Sequence, residues 1–340
     1  MKLLLESMIF IISTLVLTKS SHTVVKSSVK IARVTGLGEL TIGFLVLSVA
    51  TSIPELIVSL SAILSGNVGI AIGNVLGSNI TNVCLIIGLI GFLKPIRLRE
   101  KTLTKLSKML FLSTLVLVVL LTATSLSRMF GIILILVFLM FALYSTRQNI
   151  TLGKIRLEEP RLFLSKILFF LSFYASILSL MAGLVVLTIS SWFVIDSASN
   201  IASLLGIPES VIGATIIALS TSILELSTTL SALKQNHLRL GLGTTIGSCL
   251  TNLTLILGFI LFLSPFRVEM SVFTILVAFA LFSTILLYLF LGRLGRKKLE
   301  RREGMILLIV YTLFILLTVF VSVSGLDLMS VTRTNPPLGG

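Results

Sequence analysis

Apolar runs long enough to cross the roughly 30 Å hydrocarbon core of a bilayer recur from one end of this chain to the other. There are about ten, near residues 5–33, 38–64, 68–91, 105–125, 129–146, 166–203, 208–233, 239–263, 269–291 and 303–324. No other feature limits the fold so tightly. A segment in hydrocarbon must satisfy every backbone N–H and C=O without water, and a single apolar run of this length does so as a helix. The expected class is therefore an all-α integral membrane protein with about ten transmembrane helices. Composition agrees, since 56% of residues are hydrophobic and 12% charged, which leaves no stretch for a soluble domain.

The formal net charge of +14 would suit a nucleic-acid binder if it formed one face of a soluble scaffold. Its placement points elsewhere. Lys94, Arg97, Arg99, Lys101, Lys105 and Lys108 fill one connection; Arg147, Lys154, Arg156, Arg161 and Lys166 a second; Arg293, Arg296, Lys297, Lys298, Arg301 and Arg302 a third. Lys234 and Arg239 mark a fourth. With ten spans these connections share one side, while Lys2, Arg128, Arg267 and Arg333 lie opposite. The positive-inside rule makes the loaded side cytoplasmic and both termini extracellular in a multi-pass cell-membrane protein. The first apolar run lacks a small-residue cleavage site and reads as a span, not a signal peptide. Cys84 and Cys249 fall inside apolar runs and carry no disulfide message.

Laying the second half on the first reveals a repeat at a constant offset of 170 residues: Gly43 with Gly213, Thr51 with Thr221, Ser52 with Ser222, Glu55 with Glu225, Gly77 with Gly247, Ser78 with Ser248, Asn82 with Asn252, Pro95 with Pro265. Five spans per copy is an odd number, so the second copy must enter the membrane upside down. Two inverted five-helix repeats follow, an arrangement in which sites lie near the midplane where the copies meet. The organisation is then a first repeat over 1–146, a cytoplasmic linker over 147–165, a second repeat over 166–324 and a disordered tail over 325–340.

Most of the thirteen acidic residues sit in connections or near span ends, but Glu55 and Glu225 lie near the centre of a span, at equivalent places in the two copies. A carboxylate at that depth costs about 2.5 kcal/mol or more unless it faces a cavity or a partner. A bare pair would repel; a bound cation relieves both problems. Ser48, Thr51, Ser52, Glu55 and Ser59 recur at three- and four-residue steps, and Thr221, Ser222, Glu225 and Thr229 repeat the stripe. Asn74, Ser78 and Asn82 are four apart on the next span, as are Thr244, Ser248 and Asn252. Carboxylate, hydroxyl and amide oxygens, without thiolate or imidazole, suit hard cations such as Ca²⁺ and Na⁺. A Ser or Thr in a span ordinarily bonds its own backbone, and the Gly73/Gly77 and Gly243/Gly247 spacing ordinarily packs helices. Two matched central acids have no such routine use. Pro54 removes a backbone donor and frees a carbonyl near Ala50, a further ion ligand.

ATSIPEL (50–56) with GNVLGSNITN (73–82), and STSILEL (220–226) with GTTIGSCLTN (243–252), resemble the two alpha-repeats of the cation/calcium antiporter superfamily, most like prokaryotic sodium/calcium exchangers. The resemblance covers both repeats and the ten-span plan. It implies that Glu55 and Glu225 are the central cation ligands, that Thr51, Ser52, Ser78, Thr221, Ser222 and Ser248 add oxygens, and that the carbonyls of Ser48 and Ala218 complete the set. Asn82 and Asn252 fall on the remaining polar positions. It also implies that the first and sixth spans slide against the other helices. Three departures stand out: Leu224 where the first copy has Pro54, Thr244 where the motif would place Asn, and Asn252 where close relatives can have Asp.

The implied function is a secondary antiporter that exchanges Ca²⁺ for Na⁺ by alternating access, the two ions sharing one oxygen-lined site. H⁺ in place of Na⁺ is the alternative, because a buried glutamate can carry a proton. A cation channel is the rival from another class. An enzyme is not expected, since no nucleophile set, His-Glu metal motif or nucleotide loop accompanies the acids. No resident cofactor, nucleic acid or obligate protein partner is expected; the partners are the ions and the lipid bilayer. One stripe remains unassigned: Lys19, His22, Lys26, Lys30 and Arg33 follow helical spacing down the first span. They either snorkel to an anionic leaflet or, through Lys19 or His22, approach the ion site. His237 reads as a solvated loop residue.

Overall fold

The computed structural model describes residues 2–64, 68–97, 100–122, 125–152, 163–205, 222–264, 266–267, 270–292 and 298–323. Ten helices carry the described chain: α1 (Lys2–Thr35), α2 (Glu39–Leu64), α3 (Ile70–Leu93), α4 (Glu100–Thr122), α5 (Arg128–Leu152), α6 (Phe163–Leu204), α7 (Ile223–Lys234), α8 (Leu238–Leu263), α9 (Met270–Gly292) and α10 (Arg301–Val323). Among the described residues eight helices are long and apolar enough to cross a membrane. The apolar part of α9 is the shorter Leu276–Leu291, and the sequence preceding α7, 206–221, lies outside the described residues. The fold is all-α and membrane-spanning, with ten crossings in two inverted five-helix repeats. Helix α5 runs on to Leu152 and α6 begins at Phe163, both inside the stretch read from sequence as a linker; 153–162 and the tail, 325–340, lie outside the described residues.

Short contacts between connections agree with the ten-span count. Strand β1 (Ile96–Arg97) pairs antiparallel with β4 (Lys298–Leu299), and β2 (Ser125–Leu126) with β3 (Phe266–Arg267). The first pairing joins the third and ninth connections, the second joins the fourth and eighth. Ten alternating crossings put the members of each pair on the same side of the membrane, as hydrogen bonding between them requires. His237 makes a third link of this kind. Its Nδ1 lies 2.9 Å from Glu39 Oε1, joining the seventh connection to the first. This corrects the reading of His237 as a solvated loop residue: its side chain is part-buried and paired because Asn236, at φ 62°, turns the chain back toward α2.

The chain forms two compact units, Met1–Thr51 with Met140–Ser248 and Ser52–Leu139 with Cys249–Gly340. Each draws helices from both repeats. In the first, α1 lies along α6 through Leu17, Val24, Val25, Leu180, Leu184 and Leu187. The start of α2 crosses the start of α8 at Gly43 and Gly243, where a Cβ on either would fall on the carbonyl oxygen of Leu240 or Leu40. Backbones approach that closely only where both residues lack a side chain. In the second unit α3 is the enclosed helix, α4 packs on α9, and α10 meets α3 where Gly304 abuts Gly88 and Gly91. Gly77 departs from the expected close-packed stripe: beyond its own helix backbone, no heavy atom among the described residues lies within 4 Å of where its Cβ would stand.

Burial is arranged for an apolar solvent. Leu4, Leu15, Met140, Leu178 and Phe320 are exposed, whereas Glu55, Glu225, Asn82, Asn252, Ser48 and Ser248 are fully enclosed. In water this would be inverted; in hydrocarbon, exposed leucine costs nothing and polar groups gather inside.

Candidate functional site

In the unit containing α7, the helix starts directly after Ser222 (φ −89°, ψ 5°), and Glu225 occupies its first turn. Ser248, on α8, donates its hydroxyl to Glu225 Oε1 at 3.2 Å. The same Oγ lies 3.5 Å from the Ser48 carbonyl oxygen and 3.5 Å from Thr51 Oγ1. Protons are scarce in this group. Thr51 directs its own mainly to the Leu47 carbonyl at 2.9 Å and more weakly to the Ser48 carbonyl at 3.4 Å, and Ser248 directs its own to Glu225, so two hydroxyl protons serve a cluster of four oxygens. All four residues are completely enclosed. An excess of acceptors over donors at a buried point is the electrostatic condition for holding a cation.

In the unit containing α3, Glu55 follows a break at Ser52, the residue equivalent to Ser222 at the 170-residue offset. The next backbone bonds match too: Leu56 N–H donates to the Ser52 carbonyl at 3.1 Å and Leu226 N–H to the Ser222 carbonyl at 3.0 Å. Leu224 stands at the place of Pro54, in a helix that starts at the equivalent position without the proline. Asn74 fixes α3 against α2, its Nδ2 donating to the Glu55 carbonyl and to Ser59 Oγ, each at 3.0 Å. In the second copy Thr244 bonds its own helix, at Leu240, and the equivalent tie passes to Thr229 and Thr245, whose hydroxyls lie 2.8 Å apart.

Two features were not readable from the motifs. Asn82 sits in a π-helical turn, Thr81–Ile87, and Asn252 opens another, Asn252–Ile256; a third, Gly43–Leu47, precedes Ser48. Such turns are rare and concentrate where a helix must re-aim a side chain. The second is the state of the amides. Asn82 and Asn252 are both wholly enclosed, and neither the Nδ2 nor the Oδ1 of either has a hydrogen-bond partner among the described residues. The Oγ atoms of Ser52 and Ser222 share this condition. Each such group costs about 1–3 kcal/mol, so four of them at symmetry-matched positions imply a compensating ligand rather than poor packing. Ser78 is also enclosed in this unit. Thr221 and Ala218 lie outside the described residues.

Among the described residues no three His, Cys, Asp or Glu side chains gather. The donors present are hydroxyl, amide, carbonyl and isolated carboxylate oxygens, which fit Ca²⁺ or Na⁺ better than zinc or copper. Lys19 and His22 are both exposed on α1.

A family model described as sodium/calcium exchanger protein matches residues 6–147 and 174–320, the two repeats. The chain belongs to this family. CaxA of Alkalimonas amylolytica is 30% identical over 319 residues, 91% of this chain and 97% of its own. Sodium/calcium exchanger MaX1 of Methanosarcina acetivorans is 29% identical over 348 residues, 92% of this chain and 98% of its own. Among solved structures, the sodium-calcium exchanger NCX_Mj soaked with 10 mM Na⁺ and zero Ca²⁺ superposes with a TM-score of 0.77 at 27% identity, covering 92% of this chain and 99% of that one. The protein is accordingly a multi-span cation/Ca²⁺ exchanger and not an enzyme.

Proposed function

We propose that this protein is a secondary antiporter that moves Ca²⁺ against Na⁺ by alternating access, with Glu55 and Glu225 as the acidic ligands that both ions use in turn. The observation that carries this reading is the duplicated oxygen set: a buried glutamate in the first turn of a helix in each copy, with enclosed Ser78, Asn82, Ser248 and Asn252 on the following helices. Binding in turn is the coupling. Ca²⁺ and two Na⁺ together would put four positive charges against two carboxylates at low dielectric, which Coulomb energies forbid. Ser48, Thr51, Ser52 and Ser222 supply further oxygens, and by motif position so do Thr221 and Ala218. The basic connections face the cytoplasm and the termini the exterior.

The decisive experiment is ⁴⁵Ca²⁺ uptake into proteoliposomes with Na⁺, H⁺ and K⁺ gradients varied independently. Uptake driven by internal Na⁺ and absent with a pH gradient alone is the expected result. Uptake driven by pH alone would transfer the reading to H⁺ coupling, and rapid passive flux with no counter-ion would replace the antiporter with a channel.

Ser248→Ala tests the oxygen cluster around Glu225. It deletes one ligand oxygen and the hydrogen bond to the carboxylate, and bonds to charged groups contribute about 1.5–3 kcal/mol. The half-saturating Ca²⁺ concentration should rise by about tenfold or more, and Ser248→Thr, which keeps the hydroxyl, should restore most of the loss.

A further inference from the structure

Helix α1 carries a feature that ion exchange does not use. Lys19, His22, Lys26, Lys30 and Arg33 are all exposed, and they follow one face of the helix over fourteen residues, about 21 Å. The opposite face, with Leu17, Ser21, Val24, Val25, Ser28 and Ala32, is the buried one. None of the five basic side chains makes an ion pair or hydrogen bond among the described residues. Nearer the N-terminus the same face continues as Met8, Ile12 and Leu15, exposed at 53%, 57% and 66%. Read along the helix, one outward surface passes from apolar to basic.

The inverted partner does not repeat this stripe. The 170-residue offset carries Thr35, the end of α1, to within one residue of Leu204, the end of α6. At the same offset the five positions become Ile189, Trp192, Asp196, Asn200 and Ser203, with no basic residue and one acid. A feature present in one copy and reversed in its inverted equivalent belongs to one side of the membrane.

We propose that this face of α1 is a binding surface for the headgroups of anionic phospholipids, with acyl chains along Met8, Ile12 and Leu15 and phosphates along the basic ladder. The chemistry of the surface selects the partner. A soluble acidic polypeptide would match the charge but not the apolar continuation on the same line, whereas a lipid offers both in that order. Lys19, the deepest, reaches the headgroup level by extending its apolar stem. Each Lys or Arg near such a surface contributes a factor of about five in affinity.

Lipid selectivity is read without reference to ion transport, so this inference and the antiporter reading fail separately. The full-length protein is reconstituted in phosphatidylcholine bilayers containing spin-labelled phosphatidylglycerol or spin-labelled phosphatidylcholine, and the motionally restricted fraction of each is measured by electron spin resonance. Wild type should prefer phosphatidylglycerol, and added salt should weaken the preference. A variant carrying Lys19→Gln, Lys26→Gln, Lys30→Gln and Arg33→Gln should lower it by about fivefold or more. Lys19→Arg with Lys26→Arg and Lys30→Arg should retain it, and so should Arg301→Gln with Arg302→Gln, which removes exposed charge elsewhere. Should the fourfold variant not reconstitute, the Lys26→Gln, Lys30→Gln pair gives the same reading. Unchanged selectivity in the glutamine variants, or an equal loss from the Arg301 and Arg302 pair, overturns the proposal.

Discussion

Glu55→Gln and Glu225→Gln should each abolish Ca²⁺ uptake driven by the counter-ion gradient, with a fall of about 100-fold or more. Both carboxylates are fully enclosed, so water cannot replace a lost charge. Removing one member of a buried, hydrogen-bonded charge interaction costs about 2–5 kcal/mol, a factor of roughly 30 to several thousand in binding. Glutamine keeps the volume, and the contacts that position the helix remain: Asn74 bonds the Glu55 backbone carbonyl, not its carboxylate, and Leu226 still closes the turn at Ser222. Folding should survive, because exchanging a buried charge for a neutral amide removes a desolvation cost. The two effects separate in a melting experiment. Wild type should gain thermal stability on adding Ca²⁺, since a ligand that binds only the native state stabilises it in proportion to the logarithm of its concentration. The glutamine variants should melt as well-folded proteins without that gain. Uptake within twofold of wild type for either variant would remove the central acids from the mechanism.

The membrane fold was legible because hydrocarbon imposes one solution on each apolar run, and the duplication was legible because Glu55, Ser78 and Asn82 recur at one fixed offset. What could not be read was local backbone geometry. Pro54 suggested a break in the first copy, and one stands there at Ser52; in the second copy α7 begins at Ile223, at the position equivalent to Ile53, without a proline in its first turn. The π-helical turns at Asn82 and Asn252 have no composition signature, because they follow from where a buried amide must point. Substitution between copies hid another element. Asn74 and Ser59 tie α2 to α3, but Thr244 at the matching place bonds its own helix, and Thr245, one residue on, makes the tie. Motif comparison marks such a change as a loss, although the physical link persists through a neighbour. His237 was missed for a simpler reason: its partner, Glu39, is 198 residues away in sequence.

The Ca²⁺ gradient that the antiporter sustains should be insensitive to membrane potential. The symmetry-matched polar positions hold two acids, Glu55 and Glu225, and two amides, Asn82 and Asn252, all four fully enclosed. Two carboxylates neutralise one Ca²⁺ or two Na⁺; a third Na⁺ would leave an uncompensated charge in a low-dielectric interior, where each unpaired ion costs several kcal/mol. An exchange of two Na⁺ for one Ca²⁺ moves no net charge. In proteoliposomes clamped with K⁺ and valinomycin, the final Ca²⁺ ratio should then be the same at zero and at negative potential. A three-for-one exchange moves one net charge per cycle, and its ratio would shift roughly tenfold for each 59 mV. Asn252→Asp supplies the missing acid at an enclosed position whose amide has no hydrogen-bond partner among the described residues, so the new carboxylate displaces none of the bonds described there. That variant should acquire the potential dependence that wild type lacks. A tenfold shift in the unmodified protein would show instead that a third cation is carried without a third carboxylate, and that the amides of Asn82 and Asn252 stabilise charge as effectively as an acid would.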